Sequence, residues 1–350
     1  MRILVALSGG VDSSVAAALL VADGHEVVAV TLRLWGGPSD QGCCSVSDVE
    51  DARRAAAQLG IEHHVFDFAE RFEQQVVEPY VADHAAGRTP NPCVECNRHL
   101  KFDALLERAD LLGFDALATG HHARIVSVDG RRHVARATDT AKDQSYVLHP
   151  LVAPATDRVL FPVGGLTKAQ VRERAGELGL RTAHKPDSQD TCFITASGGR
   201  EAFLSPRTDL HPGEIVDVDG APVGRVDAVE LVTLGQRRGL SLAGGGDRRY
   251  VVDVDVAGRR VVVGPPERLQ RTRVDLRGVR WNGPVPGDEV SVQTSAHGTA
   301  EPATITDVDI DAGRATVRWV RSRPLVAPGQ SVVVYRDDIV LGGGTAERST

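Results

Sequence analysis

A bend rich in serine and glycine near the amino terminus carries the first residues that could do chemistry. The string SGGVDSS follows the apolar run ILVAL and precedes an alanine-rich stretch of helical character. A glycine turn between a strand and a helix gathers backbone N–H groups and the positive end of the helix dipole. Gly9 and Gly10 allow close approach of a ligand to the backbone. Further donors come from the hydroxyls of Ser8, Ser13 and Ser14. The bend is therefore predicted to hold phosphate groups.

Two common phosphate-binding motifs do not fit this bend. The lysine of a Walker A loop is missing, and the glycine spacing is not GxGxxG. The alternative without a ligand is a serine-capped helix after a tight turn. A cap uses one serine, so that alternative leaves most of the set unexplained.

Five cysteines form the second set of candidate reactive groups: Cys43, Cys44, Cys93, Cys96 and Cys192. An odd, small number in a long chain argues against a disulfide framework. The CxxC spacing of Cys93 and Cys96 is compatible with a redox pair, a zinc half-site or iron–sulfur ligands. No second CxxC and no histidine pair at finger spacing follows, which disfavours structural zinc. The role of Cys43 and Cys44 stays open.

The sequence around two of the cysteines indicates reactive thiols. Prolines and an asparagine in GRTPNPCVECNRHLKF predict an extended segment, followed by a helix that begins near Cys96 or Asn97. At a helix start, the dipole and the nearby Arg98 and Lys101 would stabilise a Cys96 thiolate. Cys192 follows the polar run DSQDT, which predicts a loop rather than a core position.

The elements that must position these residues change character along the chain. The first half alternates short apolar runs with helical patterns, which predicts a doubly wound parallel sheet. Within it, LTKAQVRERAGELG predicts a helix capped by Thr167 and ending at Gly179. After about residue 205, period-two alternation between Gly, Pro and Asp turns predicts strands. The predicted domains are 1–205, 206–267 and 268–350.

Charge and hydropathy limit the possible partners. The net charge of −7 provides no global basic field for nucleic acid, although local patches remain. Arginines cluster in GQRRGL and again between Arg268 and Arg280. No apolar run approaches the roughly 18 residues that span a bilayer, and the start MRILVALSGG is unlike a secretory signal. We therefore expect a cytoplasmic protein without a membrane partner.

Eight segments, in chain order, resemble one family. SGGVDSS resembles the SGGxDS signature of the PP-loop ATP pyrophosphatases, which split ATP to AMP and pyrophosphate and adenylate a substrate. From Ser8 to Gly344 the chain resembles the bacterial tRNA-specific 2-thiouridylases (MnmA family). The other segments that carry this resemblance are GRTPNPCVECNRHLKF, ATGHHAR, AKDQSYVL, LFPVGGLTKAQVR, KPDSQDTCFI, VTLGQRRGL and APGQSVVVY with VLGGG.

The resemblance implies an α/β fold in three parts. A doubly wound, parallel-sheet PP-loop domain of the adenine nucleotide alpha hydrolase type would be followed by a small β-rich domain and a C-terminal β-barrel. Cys96 would be the nucleophile, and Cys192 would carry a persulfide and form a transient disulfide with Cys96. The residues implied to bind ATP are Ala6, Leu7, Ser8, Gly9, Gly10, Val11, Asp12, Ser13, Leu32 and Gly120. Those implied to contact tRNA are Asn91, Pro92, Cys93, His121, Lys142, Asp143, Gln144 and Gln330.

The implied reaction is ATP-dependent 2-thiolation of the wobble uridine in tRNAs of the lysine, glutamate and glutamine type. ATP with Mg²⁺ would adenylate the C2 oxygen, and the persulfide on Cys192 would deliver sulfur to C2. Cys96 would attack the persulfide, leaving a disulfide. A cysteine desulfurase or a sulfur-relay protein would supply the sulfur. In the alternative route, Cys93, Cys96 and Cys192 ligate an iron–sulfur cluster that binds the sulfide.

Two positions depart from the family pattern. Cys93 stands where some relatives have aspartate, so a general-base role of that aspartate does not transfer. Ser295 and Ala296 stand where other members carry basic or aromatic RNA contacts, so those contacts are not expected here.

Two other classes of function remain as rivals at this point. A different PP-loop enzyme, a ligase or amidotransferase acting on a small molecule, would need no reactive cysteines. A thiol-regulated RNA-binding protein would need no SGGVDSS bend and would release no pyrophosphate. An assay with ATP, unmodified tRNA and a sulfur source separates all three.

Overall fold

The structure is a computed structural model that describes residues 1–34, 46–187, 193–194, 199–242 and 248–349. Three of the five cysteines, Cys43, Cys44 and Cys192, lie outside the described residues. The chain forms two compact units. The first comprises 1–76, 92–196 and 336–341, and the second comprises 77–91, 197–335 and 342–350.

The first unit is built on a parallel sheet. The strands of this unit are β1 (Arg2–Ala6), β2 (Glu26–Arg33), β3 (Glu62–Asp67), β4 (Ala116–Thr119), β5 (Arg124–Val128), β6 (Arg131–Ala135) and β7 (Val159–Leu160), and all except β5 and β6 belong to the parallel sheet. The sheet order is β3-β2-β1-β4-β7, and every pair in it is parallel. The strand order therefore reverses between β1 and β4. In such sheets, ligands bind beyond the carboxyl ends of the strands at this reversal point.

The α-helices of both units, in chain order, are α1 (Val11–Ala22), α2 (Val46–Leu59), α3 (Ala69–Phe72), α4 (Glu78–Ala85), α5 (Pro92–Cys96), α6 (Leu105–Leu111), α7 (Lys168–Glu177) and α8 (Gly199–Leu204). Segments Glu73–Val77 and Asn97–Ala104 are π-helical. Short 3-10 turns are Ser145–Leu148, Ala155–Arg158, Arg181–His184, Val229–Leu231 and Pro266–Leu269. In the described part of the chain, no helix is both long and apolar enough to cross a membrane.

Helix α1 is apolar on almost every side, as expected of a helix that is buried all round. Ala17 and Leu20 belong to the cluster formed with β1, β4 and α2. Val11 and Val15 pack with Val171 of α7. Burial on two faces fixes the direction of the helix, and so it fixes where the bend before it points.

The predicted cap of α7 is confirmed. Thr167 accepts a hydrogen bond from the Gln170 amide while the Gln170 side chain bonds back to Thr167, which is a complete capping box. Gly179 follows the helix with a φ of +63°, the left-handed conformation that favours glycine after a helix end.

The predicted helix start near Cys96 or Asn97 is wrong. The helical segment begins at Pro92 as α5 and continues through the π-helical stretch into α6. Proline suits the first helical position, because its fixed φ matches the helix and its missing N–H costs nothing there. Cys96 therefore lies inside a continuous helical segment, and the dipole argument for its thiolate does not hold.

The hairpin of β5 and β6 was not predicted. Asp129 and Gly130 form its turn with φ values of +49° and +75°. An Asp-Gly pair between two stretches of alternating apolar and polar residues is a strong hairpin signal. The sequence contains this pair in the segment SVDGRR. In the first unit, Ala135 of β6 also pairs with Ile339.

The remaining strands belong mainly to the second unit. They are β8 (Gly213–Asp217), β9 (Pro222–Val226), β10 (Ser241–Leu242), β11 (Tyr250–Asp255), β12 (Arg260–Gly264), β13 (Gln270–Trp281), β14 (Val290–Gln293), β15 (Glu301–Asp309), β16 (Arg314–Pro324), β17 (Ser331–Arg336) and β18 (Ile339–Ser349). Arg336 of β17 and residues 339–341 of β18 belong to the first unit. The first five form one sheet in the order β10-β9-β8-β12-β11. Strands β13 to β18 form an antiparallel barrel, which β13 and β18 close by pairing with each other. The predicted fold class is confirmed.

Candidate active site

The serine and glycine bend lies at the reversal point of the parallel sheet, between β1 and α1. Gly9 has a φ of +73°, and a Cβ there would lie 2.3 Å from the Asp48 carbonyl oxygen. Gly120, directly after β4, is equally constrained, since a Cβ would lie 2.5 Å from the Ser13 nitrogen. Only glycine fits at either position without moving the backbone. The ends of β1 and β4 thus meet around the start of α1.

The three serines of the bend differ in their exposure and in their hydrogen bonds. Ser13 Oγ accepts a hydrogen bond from the Ser8 amide at 3.2 Å and donates to the Gly10 carbonyl at 3.1 Å. Ser14 is fully buried and its hydroxyl donates to the same Gly10 carbonyl at 2.8 Å. Ser8 is exposed. Ser13 and Ser14 therefore shape the bend from within, while the Ser8 hydroxyl lies 3.2 Å from that of Ser13 on an exposed residue.

Asp12, in the first turn of α1, is held by two donors. Lys168 Nζ donates to both of its carboxylate oxygens, at 2.7 and 2.8 Å, and His122 Nε2 donates to one of them at 3.0 Å. Partial burial alone would raise the pKa of Asp12, but the hydrogen bonds from His122 and Lys168 and the lysine charge outweigh it. The pKa of Asp12 is lowered, so this carboxylate is ionised at neutral pH.

A second carboxylate, Asp187, lies beside the first. It accepts from Lys142, Lys168 and Arg172, each at 2.8 Å. Partial burial opposes ionisation, yet the hydrogen bonds from Lys142 and Lys168 lower the pKa of Asp187 to about 2. Lys168 is thus shared by two carboxylates.

A second ion cluster contacts the bend at Gly9. Lys185 Nζ donates to Asp48 and Asp51 of α2, both at 2.7 Å, and to the Gly9 carbonyl at 3.1 Å. Burial would lower the pKa of Lys185, but its bonds to Asp48 and Asp51 raise it. Lys185 therefore ties α2 to the bend as a fixed positive charge.

The predicted tRNA-contact segment 142–144 lies against the same site. Gln144 exchanges two hydrogen bonds of 2.8 Å with the backbone of His122, the residue that also donates to Asp12. The Asp143 carboxylate accepts from the Arg136 side chain at 3.0 Å and from the Ser145 hydroxyl at 2.8 Å. Asp143 therefore holds the turn in place, while the Lys142 side chain is partly exposed.

His121 is buried, unlike the residues of the segment 142–144. Its ring packs 5.9 Å from the rings of both Phe102 and Phe161, and its Nδ1 lies 2.6 Å from the Thr119 hydroxyl. Burial, followed by the charge of Lys101, holds the pKa of His121 well below its ordinary value. The imidazole is therefore neutral.

The two cysteines that the structure describes lie at opposite degrees of exposure. Cys93 is exposed on α5, and Cys96 is 7 % exposed at its end. Next to Cys96, Asn97 donates from Nδ2 to the Val147 carbonyl at 3.2 Å. The helical segment with Cys96 thus packs beside the turn that follows Gln144.

The remaining predicted ATP residues lie around the bend. Leu7 and Val11 are buried on either side of it, Ala6 ends β1, and Leu32 is buried near the carboxyl end of β2. In the second unit, Gln330 Nε2 donates to the Thr89 carbonyl at 2.5 Å. The Thr89 amide donates to Pro328 at 2.8 Å, so the loop at 328–330 holds the segment that leads to Asn91.

Three protein-family models match successive parts of the chain. Residues 1–196 match the model of the tRNA methyl transferase HUP domain, and residues 201–265 match that of the tRNA methyl transferase PRC-barrel domain. Residues 272–346 match that of the aminomethyltransferase beta-barrel domain.

Comparison with individual named proteins is more specific. The tRNA-specific 2-thiouridylase MnmA of Acidothermus cellulolyticus is 48% identical over 365 residues, with 100% of this chain and 98% of that protein covered. The chain belongs to the MnmA family. Relatives of the same name in Salinispora arenicola and Chloroflexus aggregans are 48% and 46% identical, each covering 99% of this chain and 98% of their own length. The family predicted from the sequence segments is confirmed.

Several residues of this MnmA-family site were missed by sequence reasoning. They are His122, Lys168, Lys185 and the role of Asp187 as a carboxylate that binds Lys168. One signal was available for Lys168, which occupies the first turn of α7, where the helix dipole disfavours a positive charge. A cation in that position indicates an anionic partner outside the helix.

The glycine after β4 gives a test of how the bend is built. Replacing Gly120 with alanine is expected to shift the start of α1, because the new Cβ would meet backbone atoms of Asp12 and Ser13. We expect a loss of about 1–3 kcal/mol in the free energy of unfolding and at least tenfold weaker ATP binding. Gly165→Ala, where a Cβ would meet nothing within 4 Å, is the control. Equal ATP affinity in both variants would contradict this reading of the site.

The contact between Gln330 and Thr89 predicts a positioning role. Gln330→Ala is expected to lower the rate of tRNA thiolation about threefold to tenfold, the value of one hydrogen bond, because the segment before Asn91 loses an anchor. ATP affinity is expected to stay unchanged. A residue that only contacts tRNA would instead weaken tRNA binding and leave the turnover number intact. Gln270→Ala, at an exposed position on β13, is the control.

Proposed function

We propose that this protein is a tRNA uridine 2-sulfurtransferase, an enzyme that uses ATP to replace the C2 oxygen of the wobble uridine of tRNA with sulfur. The observation that carries the proposal is the full-length relationship, at 48% identity, to proteins named as tRNA-specific 2-thiouridylases. The geometry of the bend supports the ATP half of the reaction.

ATP with Mg²⁺ is the first substrate. The bend is suited to a triphosphate, because the first N–H groups of α1 have no partner within the helix and favour an anion. Gly9 and Gly120 let the backbones of Asp48 and Ser13 pack closely against this bend. Asp12 provides the carboxylate for magnesium, and Lys168 provides a positive charge for the phosphate oxygens. When bound, magnesium stabilises the departing pyrophosphate.

Adenylation activates the base. The C2 oxygen of the uridine attacks the α-phosphorus of ATP, and the bond to pyrophosphate breaks. Oxygen is a poor leaving group from a uracil, whereas AMP is a good one. The target base has to leave its stack to reach such a pocket, as bases acted on by enzymes generally do.

Sulfur transfer uses two cysteines. The terminal sulfur of a persulfide on Cys192 attacks C2, and AMP departs. The Cys96 thiolate attacks the inner sulfur on Cys192, which breaks the persulfide bond and leaves sulfur on C2. The resulting disulfide between Cys96 and Cys192 needs a thiol reductant for the next turnover. The sulfur donor is a cysteine desulfurase or a relay protein.

The tRNA contacts follow the family positions. Lys142, which bonds Asp187, and Gln144, which bonds the His122 backbone, are proposed to contact tRNA. The buried His121 is proposed to help place it. Asn91, Pro92 and Cys93 are proposed to contact the target base. Preferred substrates are tRNAs of the lysine, glutamate and glutamine type.

One reconstituted assay tests the function. Purified protein, ATP with Mg²⁺, unmodified tRNA, cysteine with a desulfurase and a thiol reductant are combined, and nucleosides and pyrophosphate are measured. We expect 2-thiouridine and pyrophosphate, both dependent on tRNA. Pyrophosphate without 2-thiouridine would favour a PP-loop ligase or amidotransferase, and tRNA binding without pyrophosphate would favour an RNA-binding protein.

A further inference from the structure

Asp187 gathers three positive side chains from two separate segments of the first unit. Lys142 belongs to the proposed tRNA segment, and Lys168 and Arg172 belong to α7. The Asp187 side chain is 20 % exposed and that of Lys168 is 13 % exposed, so solvent screens this contact only partly. With a pKa near 2, Asp187 carries its charge throughout the neutral range.

Lys168 connects this cluster to the ATP site. Its ammonium group lies 2.7 and 2.8 Å from the two Asp12 oxygens and 2.8 Å from Asp187. Magnesium and Lys168 compete for the same Asp12 carboxylate, because both are cations that need its oxygens. How tightly Asp187 holds Lys168 therefore decides how available Asp12 is to MgATP.

Lys142 connects the cluster to the proposed tRNA surface. Its side chain is 37 % exposed and donates to Asp187 at 2.8 Å, so a phosphate oxygen of tRNA can take it over. Gln144, two residues on, reaches Asp12 by a separate path through His122. Two chains of contacts thus join the segment 142–144 to one carboxylate of the bend.

We propose that Asp187 is a positioning residue that couples tRNA binding at Lys142 to MgATP binding at Asp12. When Lys142 leaves Asp187 to contact tRNA, Asp187 binds Lys168 more tightly. The inference rests on the proposed function. In the chain without substrates, Lys142 donates to Asp187 Oδ2, and Lys168 is shared between Asp187 Oδ1 and the Asp12 carboxylate. When tRNA takes Lys142, Asp187 has one donor fewer and draws Lys168 away from Asp12. Asp12 is then open to magnesium.

The coupling is reciprocal. If tRNA strengthens MgATP binding by a given factor, MgATP strengthens tRNA binding by the same factor. Because free enzyme would bind MgATP weakly, ATP would be cleaved mainly when the acceptor base is present. That arrangement limits hydrolysis of ATP without a thiolated product.

Two substitutions at opposite ends of the contact are expected to change ATP affinity in opposite directions. Asp187→Asn leaves Lys168 to Asp12 alone, so MgATP should bind at least fivefold more weakly and should no longer respond to tRNA. Lys142→Gln imitates the tRNA-bound arrangement, so MgATP should bind at least threefold more tightly without tRNA. Its tRNA affinity should fall.

The measurement is the dissociation constant of the magnesium complex of α,β-methylene ATP, which is not cleaved at the reacting bond, with and without saturating unmodified tRNA. For the wild-type chain we expect tRNA to lower this constant about fivefold or more, within the usual range of coupling between sites. Asp187→Glu, which keeps the charge, should recover part of the coupling. Glu50→Gln is the matched control, since Glu50 also pairs with two cations, Arg53 and Arg54, but on the exposed face of α2.

The results of these measurements distinguish a failure of the proposed coupling from a failure of the proposed function. Wild-type coupling in Asp187→Asn, or unchanged ATP affinity in Lys142→Gln, overturns the proposed coupling. A purely structural Asp187 would lower the melting temperature of Asp187→Asn and leave the ratio of the two dissociation constants intact. If Asp187→Asn does not fold, Lys142→Gln still decides, because its predicted effect is a gain. Absence of tRNA-dependent pyrophosphate release from the wild-type chain would instead refute the proposed function.

Discussion

Asp12→Ala is expected to reduce tRNA-dependent pyrophosphate release about a thousandfold while the protein stays folded. The carboxylate is the group proposed to bind the magnesium of ATP, and it lies at the start of a helix that is buried on two faces. Loss of one such electrostatic contact costs up to about 4 kcal/mol of transition-state stabilisation, which is about a thousandfold in rate. Release of pyrophosphate at saturating tRNA is the measurement.

The control lies at the other end of the same helix. Asp23 follows the last turn of α1 and is exposed, so Asp23→Ala should keep wild-type turnover. In Asp12→Ala, Lys168 keeps Asp187 as a partner, so the melting temperature should change by only a few degrees. Near-normal turnover of folded Asp12→Ala would remove the basis for placing magnesium at this carboxylate.

Cys96→Ser is expected to abolish 2-thiouridine formation, with a loss of more than a thousandfold, while pyrophosphate release in the first turnover continues. A serine hydroxyl matches the thiol in size, so the buried site keeps its packing. It is not ionised at neutral pH and cannot attack a persulfide sulfur as a thiolate does. Single-turnover measurement of both products separates adenylation from sulfur transfer.

Cys93→Ser is the matched variant, three residues away on the exposed side of the same helix. In the persulfide route it should retain much of the thiolation activity. In the iron–sulfur route it should lose iron and activity together, and wild-type protein purified without oxygen should be brown. Among the described residues, no group of three histidine, cysteine, aspartate or glutamate side chains is arranged to hold a metal ion. Cys192 lies outside them, so the measurement decides between the routes.

Local patterns were enough to predict much of this protein. The SGGVDSS bend, the alternating strands and helices of the first half and the cap at Thr167 each depend on residues close together in the chain. Backbone sterics and capping hydrogen bonds act over a few residues, so such features can be read from short segments. The domain limits 1–205, 206–267 and 268–350 stay a prediction, as do the roles of the individual site residues.

One local prediction failed because two local rules competed. The prolines before Cys93 were taken to delay the helix to Cys96 or Asn97, but Pro92 itself starts it. Proline is unfavourable inside a helix and favourable at its first position, and only the packing around α5 distinguished the two. Pro92, Val94 and Cys96 of α5 are all buried, and because residues two apart point to opposite sides of a helix, α5 is packed on more than one side.

Only the tertiary structure decided how the charges of the site are arranged. Lys168 is 156 residues from Asp12 in the chain, and Lys142 is 45 residues from Asp187. They meet because β4 pairs directly with β1, which brings the residues after both strands to one edge of the sheet, and because α7 packs on α1. Sequence determined the bend and the family of the chain. The partners of its carboxylates depend on contacts between distant segments, which no pattern within one segment specifies.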